Sequence, residues 1–224
     1  MDNATPDDAQ RLAQFVQLLA DWAIPLGFMG PREEPKLLDR HIAESAALLE
    51  HVADGPVVDV GSGAGLPGIV IAIWRREGVL LEAERRRAEF LRRVVSELSL
   101  GWHVVADRAE AVGRDEATRS TFTTAVARAL APPAVALELL MPLVKVGGRA
   151  VLMAGPSALE DPNLAWVAHE LGGETPQTVR LQVTGGPGPA WAIIVDKSSD
   201  TPDRYPRRTG VPLRRPLRKP SLGA

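Results

Sequence analysis

VVDVGSGAGLPGIVIAI, residues 57–73, decides how the rest of the chain is read. A short apolar run carries Asp59, glycines follow at 61, 63 and 65, and a second apolar run begins after Pro67. Such a run stopped by glycine reads as a buried strand, and proline favours the first turn of a helix. The stretch is therefore strand, glycine loop, helix. A phosphate-gripping loop would need GxxxxGK[ST], whose lysine neutralises the terminal phosphates. Gly63 and Gly68 have the glycine spacing, but Ile69 and Val70 stand where lysine and a hydroxyl are required, which excludes nucleotide hydrolysis. The dinucleotide fingerprint GxGxxG is met at Gly61 and Gly63 and fails at Leu66. What fits is D-x-G-x-G-x-G, at Asp59, Gly61, Gly63 and Gly65. Alternating glycines let the backbone lie against a small nucleoside and its amino-acid tail with no Cβ in the way. Asp59 can then face a ligand amine, directly or through the loop.

Working outward, a β/α alternation follows. GVLLE (78–82) reads as the second strand, a helix covers 85–98, and HVVAD (103–107) and TTAVAR (123–128) are strands three and four with a weak helix between. A helix over 133–144, the strand GGRAVLM (147–153) and a helix over 158–171 come next. TVRLQV and AWAIIVD are separated only by TGGPGP, a turn that permits nothing but an antiparallel pair. Upstream, Leu12, Phe15, Val16, Leu19 and Trp22 share one face of a helix over 7–23, and Leu38, Ile42, Ser45 and Leu49 one face of a helix over 35–51. The expected architecture is α/β: a Rossmann-like, doubly wound, mostly parallel sheet with a C-terminal antiparallel hairpin and an N-terminal helical cap. The expected division is a cap over 1–52, a cofactor-binding domain over 53–197 and a basic Pro/Arg-rich tail over 198–224.

The second strand ends in Glu82, 23 residues after Asp59. At the carboxyl edge beside the switch point, a carboxylate accepts hydrogen bonds from both ribose hydroxyls. Glycine loop, strand-two acid and terminal hairpin together are the design of class I S-adenosylmethionine (SAM)-dependent methyltransferases. DRAE (107–110) falls where adenine would sit; the backbone there or Glu110 can read the base edge, or Glu110 is simply an acid favoured in a helix first turn. Arg128, alone in a strand of small apolar residues, needs an anionic partner, either a ligand in the crevice or an internal acid.

The chain has 224 residues, no cysteine and a net charge of −2. Without cysteine there is no thiolate nucleophile and no disulfide, and His41, His51, His103 and His169 lack metal-ligand spacing, so no metal is expected. An acidic N-terminus without an apolar segment implies no membrane span and a cytoplasmic setting. The charge is uneven: from Arg204 onward there are seven basic residues and no acid, leaving 19 basic against 28 acidic residues before it. Such an arm, with Arg204, Arg207, Arg208, Arg214 and Arg215, reads either as an RNA contact or as an extended solubilising tail.

After strand four, RALAPPA (128–134) keeps the proline pair of amino-methylating nucleic-acid enzymes but has Ala131 and Ala134 in place of the amine acceptor and the aromatic platform. Pyrimidine C5 methylation normally needs a cysteine adduct. Guanine N7 remains, a nucleophile with an exposed lone pair and no proton to remove, so no catalytic acid or base is expected.

The chain resembles the RsmG/GidB family of bacterial small-subunit rRNA methyltransferases from about Trp22 onward. The resemblance rests on LLDRHIAESAALL (37–49), GSGAGLPGI (61–69), LLEAERRRAEFLRRVVSELSL (80–100), DRAE, VARALAP (126–132) and LVKVGGRAVLMAG (143–155). It implies methylation from SAM at N7 of a guanine in 16S rRNA (guanine 527 in the family), with naked RNA or the small ribosomal subunit as partner, no DNA, and a monomer as the expected state. It also implies cofactor contacts from Gly61, Leu66, Ala109, Glu110 and Arg128, with Glu82 at the family's strand-two acid. Two stretches depart from the family: LGFMG (26–30) replaces the usual Asn-Leu-Thr, and Ala154 replaces a lysine before Gly155. The competing readings are a methyltransferase of another RNA, a protein or a small molecule, and a SAM-binding module without catalysis.

Overall fold

The computed structural model describes residues 5–30, 35–75, 77–155, 161–183 and 190–220. Among the described residues seven strands form one sheet: β1 (Val57–Val60), β2 (Gly78–Leu81), β3 (His103–Val105), β4 (Phe122–Arg128), β5 (Val144–Ala154), β6 (Gln177–Leu181) and β7 (Ala190–Asp196). Their order is β3-β2-β1-β4-β5-β7-β6. The first five run parallel, and β7 is antiparallel to both β5 and β6. The expected terminal hairpin is present with its last strand inside the sheet. Composition explains this, because AWAIIVD is almost wholly buried whereas QTVRL is mostly solvated and takes the edge. The connecting TGGPGP lies outside the described residues.

Side chains alternate across the sheet, and the two faces bury separate cores. Val57, Leu80, Val126 and Val151 pack under α1 (Pro6–Leu18), α2 (Pro35–Ala47), α3 (Gly68–Trp74) and α4 (Arg85–Glu97). Val58, Leu81, Ala125 and Leu152 pack under α5 (Ala109–Val112), α6 (Pro133–Leu140) and α7 (Leu164–Glu170). In α4 the inward stripe is Leu91 and Val94, each fully buried, followed by Leu98. Truncating Leu91 to alanine would cost about 2–5 kcal/mol.

Four sequence expectations are corrected. The helix over 7–23 starts at a reciprocal cap between Thr5 and Asp8, but becomes a π-helix over Leu19–Ala23. That wider turn rotates Trp22 off the apolar face; it is 40% exposed, with the Arg93 guanidinium 3.9 Å from its ring centroid. The helix over 133–144 stops at Leu140, just before Pro142, which has no N–H to continue it. The tail is not extended away from the body: Tyr205, Pro206 and Pro212 are buried, and Val211–Arg214 forms a last short helix, α8. The helix expected over 158–171 is present only as the shorter α7, which starts at Leu164; residues 161–163 are not helical, and residues 158–160 lie outside the described ones, as does the Leu38 side chain.

Candidate functional site

Parallel strands deliver their carboxyl ends to one edge, and β1 sits between β2 and β4, where the chain changes direction across the sheet. Four of the segments the sequence marked between residues 59 and 128 end at that edge. The glycine loop leaves β1, Glu82 follows β2, residues 107–110 follow β3, and Arg128 ends β4.

Asp59 points to the same face as Val57, away from the edge, and is fully buried. Its Oδ2 accepts the Gly68 N–H at 2.9 Å, fastening the start of α3, while Oδ1 has no hydrogen-bond partner. Burial pushes its carboxyl up to about 7, with the Gly68 N–H opposing and the Glu82 charge adding to the rise. Any influence on a ligand therefore passes through the loop.

Glu82, only 7% exposed, ties the loop to the next helix. Its Oε2 accepts the Gly63 N–H and its Oε1 the Glu84 N–H, both at 2.8 Å. Each carboxylate oxygen retains a second acceptor site. Glu84 in turn caps α4 by accepting the N–H groups of Arg86 and Arg87.

The three loop glycines have different jobs: a Cβ on Gly61, at the border of both hollows, would lie 2.5 Å from the Leu130 side chain. A Cβ on Gly65 would lie 2.6 Å from Ile69, so its small size serves packing, and it borders neither hollow at the edge. A Cβ on Gly63 would meet nothing closer than 3.8 Å. That position opens onto space.

The main cleft at this edge has a volume of about 270 Å³ and takes in Gly61, Glu82, Ala109, Glu110 and Leu130. An adjoining crevice of about 310 Å³ shares Gly61, Arg87 and Ala129 with it and adds Gly63, Leu66 and Arg128. The pair makes an elongated site with an acid in the first half and a cation bordering the second. Between them, Ala129 holds a left-handed backbone, φ 51°, a conformation that non-glycine residues keep only under constraint.

Arg128 meets an internal acid. Its Nη2 lies 3.0 Å from Glu44 Oε2 of α2, Nη1 donates to the His41 carbonyl, and the His41 ring nitrogen lies against the same guanidinium. Arg40 binds the other Glu44 oxygen at 2.6 Å. Burial opposes ionisation of Glu44, but hydrogen bonds from His41 and Arg40 and the Arg128 charge outweigh it and hold the carboxyl at about 2. The helical cap is thus pinned to the end of β4 by charge.

A family model for the rRNA small subunit methyltransferase G, GidB, matches residues 8–182. The chain belongs to that family. The protein of that name from Rubrobacter xylanophilus is 39% identical over 225 residues, covering 96% of this chain and 86% of its own length. The Moorella thermoacetica protein of the same name is 34% identical over 219 residues, covering 95% and 91%. Among solved structures, a geranyl diphosphate methyltransferase in complex with SAM superposes with a TM-score of 0.54 at 15% identity, over 70% of this chain and 85% of its own. A branched-chain polyamine synthase variant from Thermus thermophilus gives 0.57 at 15% identity, over 86% and 64%. At that identity the two structures establish the Rossmann-like fold alone. Members of the GidB family are methyltransferases, and the SAM-binding architecture read from the glycine loop is the one this chain adopts.

The tail arginines separate into two groups. Arg204 pairs with Glu170, and Arg207 with the buried Glu138, whereas Arg208, Arg214 and Arg215 are exposed. Sequence reasoning missed Ala129, Leu130, Arg87, Gly210, Pro212 and Leu213, all of which border the main cleft. Arg87 was hidden among outward-facing arginines, and nothing local marks residues 210–213. Among the described residues no group of three His, Asp or Glu side chains could hold a metal ion, and no helix is long and apolar enough to cross a membrane.

Proposed function

We propose that this chain transfers a methyl group from SAM to N7 of a guanine in 16S rRNA; the names of its relatives support the coarser part, methylation of small-subunit ribosomal RNA. The single structural observation that carries the cofactor half is Glu82: buried, held by two backbone N–H groups, and facing the main cleft with acceptor capacity left over. That arrangement suits a ribose, whose two hydroxyls would each donate to one carboxylate oxygen. The backbone of Ala109 and Glu110 borders the same cleft on the adenine side, and Gly61, Gly63 and Leu66 run along the crevice where an amino-acid tail would extend. Gly65 supports the loop from behind, and Arg128, through Glu44 and His41, shapes the crevice wall.

When bound, SAM supplies a methyl group on a positively charged sulfur, ready for displacement. The chain's residues then have to hold a guanine nitrogen in line with that bond. The run from Ala129 to Pro133 lies between the main cleft and a third hollow of about 180 Å³, lined by Leu130, Pro132, Met153 and Ala154. It offers shape and apolar surface without a carboxylate or imidazole. That matches a nucleophile with no proton to lose, for which positioning supplies the rate. The exposed Arg208, Arg214 and Arg215 provide phosphate contacts on the approach to the site.

The test is incubation with methyl-labelled SAM and small subunits from a strain lacking the modification, followed by mapping of the labelled nucleotide. Label at guanine N7, with position 527 expected, supports the assignment. Label on peptides or free nucleosides and none on rRNA overturns it.

A further inference from the structure

The last described residues return to the edge where the candidate cofactor cleft lies. Three contacts steer them there. The Arg119 guanidinium donates to the carbonyls of Gly113 at 2.9 Å and Tyr205 at 2.8 Å. The Tyr205 hydroxyl donates to Glu170 at 3.0 Å, and Arg207 binds Glu138. Beyond these anchors Gly210, with φ 76°, turns the chain, and its N–H donates to Glu110 Oε1 at 2.8 Å. Pro212 and Leu213 then border the main cleft together with Glu82 and Ala109. Leu213 is 65% exposed, a large apolar side chain left at the mouth of a polar-edged hollow.

From this geometry we propose that Gly210–Leu213 is a wall for the adenosine moiety of the cofactor, and that Glu110 positions this wall through Gly210. The inference rests on the cofactor reading above. An adenine ring is flat, apolar on its faces and polar at its edge. The cleft presents backbone and a ribose-binding acid toward the edge side, and Pro212 and Leu213 supply apolar surface for a face. Covering the exposed part of Leu213 by the ring removes apolar area from water, which favours binding without any change in the protein's own packing. Glu110 is 7% exposed, and the bond its Oε1 receives is from the chain itself. Its role is therefore to hold the wall at the cleft, so its loss acts on every ligand carrying the purine.

Calorimetric titration with S-adenosylhomocysteine, adenosine and purine riboside, which lacks the exocyclic amine, separates the possibilities. Leu213→Ala is expected to weaken all three by about tenfold while leaving the melting temperature of the free protein unchanged. Glu110→Ala is expected to weaken adenosine and purine riboside by the same factor, and the double variant to lose little more than either single one, as for two residues acting through one element. Glu110→Gln, which keeps an acceptor for the Gly210 N–H, retains most of the affinity. An unchanged S-adenosylhomocysteine affinity in Leu213→Ala overturns the wall alone. A Glu110→Ala loss confined to adenosine overturns the positioning role by showing direct reading of the amine. Failure of the unaltered protein to bind S-adenosylhomocysteine overturns the cofactor reading and the wall with it.

Discussion

Arg207 lays its guanidinium on the Glu138 carboxylate through two parallel hydrogen bonds, Nε to Oε1 at 2.8 Å and Nη2 to Oε2 at 2.6 Å. The Arg207 main-chain N–H adds a third at 2.9 Å, and Glu138, in the middle of α6, is fully buried. A surface ion pair would be worth little, but this one satisfies a carboxylate that has no access to water. Replacing Arg207 by alanine strands that charge and should cost about 3–5 kcal/mol. A thermal melt should show a drop of roughly 10 °C, much of it recovered when Glu138 is changed to leucine in the same chain.

Gly63 and Gly65 should fail in different assays. Gly65→Ala forces a Cβ to 2.6 Å from Ile69 and 3.3 Å from Phe15 at a backbone φ of 97°, so stability should fall by about 2 kcal/mol or more. Gly63→Ala has open space and should cost only about 1 kcal/mol for its left-handed backbone. Its effect should instead appear as a loss of S-adenosylhomocysteine affinity of roughly tenfold. Melting curves and titrations on the two variants give the comparison directly.

Glu82→Gln should be a binding variant. Both oxygens of Glu82 receive backbone N–H groups, so the amide NH2 of glutamine must face one of those donors and lose its bond. A charge-assisted hydrogen bond to the ribose would go as well. Titration should show S-adenosylhomocysteine affinity reduced by roughly 10–100-fold.

Asp59 gives the fold a pH dependence. Its carboxyl is raised to about 7 by burial, so the folded chain holds this proton more tightly than the unfolded chain does. The stability it contributes is full below about pH 4 and is lost as pH rises through 7. A carboxamide at this position cannot ionise, so the melting temperature of the Asp59→Asn variant relative to the unaltered chain should climb by about 5 °C between pH 5 and 8. A flat difference across that range would mean that Asp59 ionises normally.

If the exposed tail arginines meet RNA phosphates, removing them should flatten the salt dependence of RNA binding. Alanine at Arg208, Arg214 or Arg215 is expected to reduce the slope of log affinity against log salt by about 1 each. Arg204 and Arg207, engaged with Glu170 and Glu138, should act through stability and leave that slope in place. Filter binding across a salt series reads out the slopes.

The sheet was legible because its strands are short apolar runs cut off by glycine or charge, and because acids or glycines stand at the ends of β1 and β2. The loop spacing was legible too, but the reason for it was only partly so: Gly65 answers to Ile69, a packing contact visible only when α3 is in place. Arg128 shows the same boundary. Its need for an anion follows from its neighbours in β4, yet only the fold supplies Glu44 from a helix 84 positions earlier. The tail was read from composition, and composition counts arginines without saying which are already engaged. Glu138 and Arg207 are 69 residues apart, and neither carries a local sign of the other.

The main cleft takes one side from Gly61 and another from Leu213, and between those positions run six of the seven strands. An occupant touching both acts as a removable rivet, closing the polypeptide into a large ring for as long as it stays bound. Fraying of the final helix and loosening of the first crossover then become a single event, governed by how tightly one small molecule is gripped.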